Sequence, residues 1–242
     1  MLDLNLYLIK MPKRVFVAKP DIWIPVLDLL WDQNRIHRDP QSALKWLDVE
    51  RPVAGGLYEW SIAEHLMRER GMLDHYPCSF SGRFQHYLFE GENFTSSPGL
   101  PFKLIRGDDS LVEIKQRGKV TEPNGEQYQK GHKIVSQDAV GRWRDLLKLR
   151  GYYVPNVFAC GAMVNHILGN NGGIELEREG VVLGKVQFTM KKPLEYGSIE
   201  TKVVILEREE QGREVYEFEG YCEQGEEIIG ISRGVGVRKK VD

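Results

Sequence analysis

The segment PVAGGLYEWSIAEHLM, residues 52–67, decides how this chain is expected to fold. Its apolar residues recur at helical spacing and cover most of the helix circumference; they are Leu57, Trp60, Ala63 and Met67, flanked by Tyr58, Ile62 and Leu66. A helix that is apolar on nearly all sides is buried. The segment therefore predicts a long central helix that begins at a glycine, with the rest of the chain folded around it.

A second segment repeats this pattern further along the chain. NVFACGAMVNHIL, residues 156–168, is again an apolar helix with a glycine near its start. A strand-like segment follows each helix, FQHYLFEG at 84–91 and MKKPLEYG at 190–197, and both end at a glycine. The two helices and the two strand segments are separated by nearly the same interval, about 105 residues. An internal repeat of this kind predicts two tandem copies of one unit.

Strand patterns complete each copy. In the second, the segments 203–206, 214–223 and 227–237 follow one another across turn-prone sequences. In the first, SLVEIKQRGKV at 110–120 and EQYQKGHKIV at 126–135 flank the turn TEPNG. One long buried helix followed by antiparallel strands is an α+β unit, in which a sheet can wrap around the helix.

Composition and charge exclude several classes of function. The 33 basic and 35 acidic residues are well mixed and give a net charge of −2, so no nucleic-acid footprint is visible. No apolar run approaches the roughly 20 residues of a membrane span, and the start MLDLNLYLIKMPKR has the wrong order for a secretory signal. Three distant cysteines suggest neither a disulfide framework nor a zinc site. We predict a cytoplasmic protein with no nucleic-acid or membrane partner.

The polar segment WDQNRIHRDP, residues 31–40, stands out against its apolar surroundings. It places Asp32, Asn34, His37 and Asp39 within nine residues, directly after the helical stretch 21–30. From the residues alone, two interpretations stay open: a loop whose side chains cap backbone groups, or an active site. Asp39 precedes a proline and is expected to cap the next helix. The second copy lacks an equivalent segment, so any chemistry belongs to the first.

The order of these residues resembles a known family. The run Asp32-x-Asn34-x-x-His37-x-Asp39-Pro40, then Val53-Ala54-Gly55-Gly56, then Phe84-x-x-Tyr87-Leu88-Phe89-Glu90-Gly91 is similar to the (R)-specific enoyl-CoA hydratases, also called MaoC-like dehydratases. The resemblance covers residues 20–135 by motif and 150–240 by pattern only. It implies a double hotdog fold, with residues 1–135 as the hotdog unit that carries the hydratase motif and 136–242 as a degenerate unit without it.

The resemblance also implies an activity and its residues. Members of this family reversibly hydrate a trans-2-enoyl thioester to an (R)-3-hydroxyacyl thioester, which requires an acid, a base and donors to the carbonyl oxygen. By resemblance, Asp32 and His37 are catalytic and Asn34 supports them. The N–H of Gly56, preceded by Gly55 at the helix start, would polarise the thioester oxygen, because backbone N–H groups lack helical partners there.

Several residues depart from the family pattern. Trp31 replaces a small residue, Arg35 and Tyr87 replace prolines, and Gly55 replaces a histidine. We assign Trp31 and Arg35 to substrate binding, since they could reshape the acyl pocket and Arg35 could pair with a substrate carboxylate. The same departures leave two alternatives open: an acyl-CoA thioesterase on the same fold, and a non-catalytic protein that binds acyl thioesters.

The predicted ligand is a small acyl thioester, with coenzyme A preferred over acyl carrier protein as its carrier. No metal or redox cofactor is expected, because the remaining histidines lack metal-ligand spacing. The two fused units would act as a pseudo-dimer within one chain, and assembly into a homodimer or larger oligomer stays open.

Overall fold

The computed structural model describes residues 14–73, 75–118, 128–149, 151, 153–168 and 179–240. The start of the chain and the TEPNG turn lie outside these residues. The helices are α1 (Pro20–Leu29), α2 (Pro40–Leu47), α3 (Gly56–Glu69), α4 (Gln137–Leu146) and α5 (Val157–Leu168), with a 3-10 turn at Arg35–His37. The strands are β1 (Phe16–Val17), β2 (Cys78–Phe84), β3 (Asn93–Ser96), β4 (Phe102–Arg106), β5 (Asp109–Gln116), β6 (Gln129–Val135), β7 (Val182–Met190), β8 (Gly197–Glu210), β9 (Arg213–Gln224) and β10 (Glu227–Lys239).

The two predicted central helices are confirmed as α3 and α5. Every residue of α3 from Leu57 to Met67 is buried, as its apolar circumference requires. Helix α3 contacts α5 and β4, whereas α5 packs against strands β6, β8, β9 and β10. Trp60 of α3 lies directly on Gly82 of β2, where a Cβ atom would come within 2.2 Å of the indole ring. None of the helices in the described residues is both long and apolar enough to cross a membrane.

In the described residues, ten antiparallel strands form one sheet in the order β1-β3-β4-β5-β2-β7-β10-β9-β8-β6. Strands from residues 16–116 occupy one half of this sheet and strands from residues 129–239 occupy the other. The halves meet where β2 pairs with β7, with Gly82 opposite Val186. Alternating burial along β9 is also confirmed, since Tyr216, Phe218 and Cys222 are buried. The seam between β2 and β7 is important because the candidate site lies at one end of it.

Two strand predictions are wrong. Residues 85–91 form no regular strand, because β2 ends at Phe84 and only an isolated bridge joins Val53 to Phe89. Residues 191–196 are a connection between β7 and β8, and Pro193 there lacks the N–H that a strand ladder uses. The strands predicted on either side of the TEPNG turn are confirmed as β5 and β6, and β5 pairs with β4 and β2.

Strand β6 lies at the far edge of the sheet, paired with β8 from Gln129–Val203 to Val135–Gly197. By sequence, this strand is predicted to belong to the unit that ends at residue 135. Its hydrogen bonds place it instead beside the strands of the second half. Strand β6 therefore belongs to the second half of the sheet.

Candidate active site

The connection between α1 and α2 turns its polar side chains inward. Helix α1 ends at Leu29, Trp31 adopts a left-handed conformation with φ of 62°, and the Asp32 N–H donates to the carbonyl of Leu27. After this reversal the side chains of Asp32, Asn34 and His37 lie inside the protein, each no more than 5% exposed. Asp39 accepts hydrogen bonds from the first N–H groups of α2 and is the predicted cap. The segment is therefore both a capped helix connection and a buried polar cluster.

Asp32 and His37 are brought together within this cluster. The Nε2 atom of His37 lies 3.5 Å from Oδ2 of Asp32. His37 Nδ1 lies 2.8 Å from the carbonyl oxygen of Val53, which can only accept, so Nδ1 carries a hydrogen and donates it. In the neutral imidazole Nε2 is then an acceptor. A carboxylate oxygen and a ring nitrogen held this way can bind one water or hydroxyl between them.

Asn34 supports the cluster through backbone contacts. Its Nδ2 donates to the carbonyl of Val181 at 2.9 Å, and its Oδ1 accepts from the N–H of Gly180 at 3.2 Å and that of Ile36 at 3.4 Å. Its own N–H donates to Oδ1 of Asp32 at 3.2 Å. The side-chain amide is therefore occupied in joining the turn to the segment that enters β7.

We expect Asn34→Ala to lower the free energy of unfolding by about 1–3 kcal/mol, because the buried backbone groups of Gly180 and Val181 lose their partner. Urea denaturation followed by circular dichroism measures this change. Asn93→Ala, at an exposed position of β3, is the control and should have little effect. Equal destabilisation by the two substitutions would contradict this role of Asn34.

The start of α3 faces the cluster. Gly55 is the N-cap residue and supplies no side-chain cap, and the N–H of Gly56 has no acceptor within the described part of the chain. A Cβ atom at Gly55 would lie 3.2 Å from His37 Nε2, and one at Gly56 would lie 2.9 Å from the ring of Phe84. The absence of both side chains leaves the imidazole undisturbed and the helix N-terminus, with its partial positive charge, open to a ligand.

A cavity of about 410 Å³ connects these groups. Its floor is buried and contains Asp32, His37, Val53, Ala54, Glu59 and Val181. Its mouth is formed by exposed residues, Gln85, His86, Tyr87 and Arg213. The second half of the sheet supplies one wall, from Val182 to Gly184 together with Val237. The cavity therefore lies between the two halves, with the polar cluster of the first half at its base.

Trp31 and Arg35 are not among the residues that line this cavity. The ring of Trp31 packs edge-on against Phe158 with 5.9 Å between ring centroids. The exposed guanidinium of Arg35 lies 3.1 Å from Asp39 and 3.8 Å from Glu179. Their assignment to substrate binding stays a prediction, and their positions favour a role in supporting the loop.

Glu59 is a further cavity residue that the sequence analysis missed. It follows Gly56 by three residues on α3, it is 3% exposed, and it lines the cavity. Burial raises the pKa of this carboxyl well above its usual value, although the charge of Arg106 acts in the opposite direction. The sequence feature that could have identified Glu59 as a site residue is an acidic side chain within a helix that is apolar on nearly all sides.

The raised pKa of Glu59 predicts a pH-dependent stability. A carboxyl whose pKa is higher in the folded state binds its proton more tightly there, so its contribution is full below pH 4.5 and is lost as the pH rises through the folded-state pKa. Glutamine does not titrate, so Glu59→Gln does not lose stability in this way. The melting temperature of the variant minus that of the wild type should therefore increase as the pH rises above 4.5. Thermal unfolding at pH 4 to 8 measures the difference. Glu200→Gln, at an exposed site, should show no such trend.

The corresponding end of α5 is closed. The Glu64 carboxylate accepts from the N–H groups of Asn156 at 2.7 Å and Val157 at 2.8 Å, and it pairs with Arg68 at 2.9 Å. The space beside Glu64 is only about 20 Å³. The N-terminus of α5 is thus occupied by a side chain of α3, whereas the N-terminus of α3 opens into the cavity.

Among the described residues, no group of three or more histidine, cysteine or acidic side chains is arranged to hold a metal ion. The three cysteines are free thiols, and Cys160 and Cys222 are buried. The expectation that the protein uses no metal or redox cofactor stays a prediction.

No family model and no curated protein matches this sequence. Among solved structures, the chain is similar to a MaoC-like dehydratase at 10% identity, covering 96% of this chain and 97% of that one with a TM-score of 0.60. It is similar to a MaoC-like dehydratase from Phytophthora capsici at 11% identity, with 97% and 98% covered and a TM-score of 0.56. The chain is also similar to a 12:0-ACP thioesterase from Umbellularia californica at 7% identity, covering 94% of each chain with a TM-score of 0.55. At these identities the likeness shows the fold, which is a hotdog fold over nearly the whole chain.

Proposed function

We propose that this protein is a MaoC-like hydro-lyase that reversibly adds water to a trans-2-enoyl thioester and forms the (R)-3-hydroxyacyl thioester. One observation carries the proposal. Asp32 Oδ2 and His37 Nε2 lie 3.5 Å apart on the floor of a cavity that also exposes the uncapped N-terminus of α3. These are the base, the acid and the carbonyl donor that the reaction needs.

The chemistry follows from these positions. A water between Asp32 and His37 gives a proton to this pair while its oxygen bonds to the β-carbon of the substrate. The electron pair of the carbon–carbon double bond moves to the α-carbon and the thioester oxygen, where the Gly56 N–H stabilises the developing negative charge by about 3 kcal/mol. The pair then transfers a proton to the α-carbon, so that one water is added in total. The contact of His37 Nδ1 with Val53 holds the ring in place throughout.

We further propose that the two halves of the sheet are tandem hotdog units, a pseudo-dimer within one chain. The second unit carries no reacting group in this scheme but supplies the wall from Val182 to Gly184. It also brings Arg213 to the mouth, exposed and without an ion-pair partner among the described residues. A free guanidinium there suits the phosphates of coenzyme A, and this favours coenzyme A as the carrier.

A thioesterase is the second candidate, and Glu59 is the observation that favours it. Hydrolysis of a thioester needs a polarising donor and a carboxylate that can activate water. Gly56 and Glu59 lie in the same cavity, three residues apart on α3. Burial raises the pKa of Glu59, so this carboxyl is ionised over a narrower pH range than an exposed glutamate, and this counts against it as the base.

The test follows absorbance and thiol together. Purified protein is mixed with a panel of trans-2-enoyl-CoA thioesters, the conjugated absorbance is recorded, and free thiol is trapped in parallel. We expect absorbance loss without thiol release, and the reverse reaction from (R)- but not (S)-3-hydroxyacyl-CoA. Thiol release would establish the thioesterase, whereas binding without either change would indicate a non-catalytic protein.

A further inference from the structure

Glu59 is the buried polar group of the cavity that the hydration scheme does not use. Its side chain forms no hydrogen bond or ion pair with the described residues, although Asp32, Asn34 and His37 nearby all do. Arg106, whose charge acts on Glu59, is already engaged with Glu92 at 2.7 Å, Asp109 at 2.9 Å and the carbonyl of Tyr87 at 2.9 Å.

Buried polar groups in proteins nearly always have a hydrogen-bond partner, because an unsatisfied one loses the free energy of its lost hydration. Glu59 lies on α3 three residues after Gly56, between the buried residues Tyr58 and Trp60. Next to Gly56, the ring of Phe84 is the side chain that a Cβ atom there would touch. Its partner therefore has to come from the contents of the cavity.

The position of Glu59 indicates which part of a substrate it would meet. The long carrier arm of a thioester has to leave through the exposed mouth at Gln85, His86, Tyr87 and Arg213. Glu59 is one of the buried lining residues, one helical turn from Gly56 and on the same face of α3. With the thioester oxygen at Gly56, the group nearest to Glu59 is the acyl chain.

The volume of the cavity limits the length of that chain. About 410 Å³ is near the lower end of the roughly 300–1,000 Å³ typical of small-molecule sites. The thioester end of the carrier arm has to share this space. An acyl group of a few carbons fits beside it, and Asp32, His37 and Glu59 make part of the floor polar.

We propose that Glu59 is a specificity residue that hydrogen-bonds an uncharged polar substituent, such as a hydroxyl, oxo or amide group, on a short acyl chain. This inference rests on the proposed function, since it needs the thioester to bind at Gly56. Burial favours the neutral form of this carboxyl, and that form offers one donor and a free acceptor oxygen, which match these groups. A substrate carboxylate would be disfavoured, because no lysine or arginine is among the described residues of the floor.

The test compares two enoyl-CoA thioesters of equal chain length, one plain and one with a terminal hydroxyl, by kcat/KM. The wild type should prefer the hydroxylated chain by roughly tenfold. Glu59→Gln, which keeps a donor and an acceptor, should retain most of this preference. Glu59→Leu should abolish or reverse it, and the surface control Glu200→Gln should match the wild type.

Binding measurements separate this inference from the proposed function. Calorimetry with the saturated, unreactive thioesters reports the same preference without turnover, so a protein that binds the hydroxylated chain tenfold better but hydrates nothing would overturn only the hydration. Equal affinities and equal rates for the two chains in the wild type would overturn the role of Glu59, as would an unchanged preference in Glu59→Leu. If Glu59→Leu does not fold, Glu59→Ala gives the same comparison.

Discussion

Asp32→Asn is expected to reduce kcat for enoyl-thioester hydration by about 10²–10⁴-fold, with a much smaller effect on KM. The asparagine keeps the shape of the side chain and can still accept the hydrogen bond from the N–H of Asn34, but it cannot take a proton from water. Initial rates of absorbance loss under saturating substrate measure the change. Thermal unfolding of the variant should stay close to that of the wild type.

A matched control lies four residues earlier, in helix α1. Asp28→Asn alters an acidic side chain that is half exposed and pairs with Arg38 outside the cavity, so its kcat should remain within about twofold of wild type, in keeping with the small effect of surface ion pairs. Since Asp32 and His37 act as one unit, adding His37→Ala to Asp32→Asn should lower the rate little further. An Asp32→Asn enzyme with nearly normal kcat would show that the base is elsewhere, with Glu59 the next residue to test.

The second large effect concerns stability. Glu64→Ala should lower the free energy of unfolding by about 3–5 kcal/mol, the usual range for breaking a buried ion pair. It leaves the N–H groups of Asn156 and Val157 without an acceptor and the largely buried guanidinium of Arg68 without its carboxylate. Denaturant unfolding monitored by tryptophan fluorescence measures the loss.

The control for Glu64→Ala is the same substitution of an acidic residue at a helix N-terminus that is exposed to solvent. Asp138, in the first turn of α4, is such a residue. Asp138→Ala should lower the free energy of unfolding by only about 0.3–1 kcal/mol. If the two substitutions destabilise equally, the contacts of Glu64 with α5 contribute no more than a surface charge does.

The sequence predicts those parts of the fold that depend on local periodicity. The buried helices α3 and α5 and the alternating strand β9 are visible as patterns of spacing within one segment. The segment 84–91 shows the limit of this approach, because its apolar letters resemble a strand. Whether Leu88 and Phe89 join a ladder depends on distant partners, and a single bridge to Val53 is all that forms.

The site likewise contains residues that the sequence predicts and residues that it does not. Asp32, Asn34 and His37 are close in sequence, so their order alone could suggest a shared cluster, and the structure brings them together. Glu59 and Arg213 reach the cavity through the packing of α3 and the start of β9, which no local pattern encodes. The placement of Trp31 and Arg35 outside the cavity likewise depends on Phe158 and Glu179, each more than 100 residues away.

The carboxylate of Glu64 also affects how cooperatively the protein unfolds. It belongs to the central helix of one half and holds the first turn of the central helix of the other, so each helix loses part of its buried contacts when its partner is lost. We therefore expect a single cooperative melting transition in calorimetry rather than two. A fragment made of residues 136–242 alone should fail to fold, although the sequence repeats as though it encoded two separable modules.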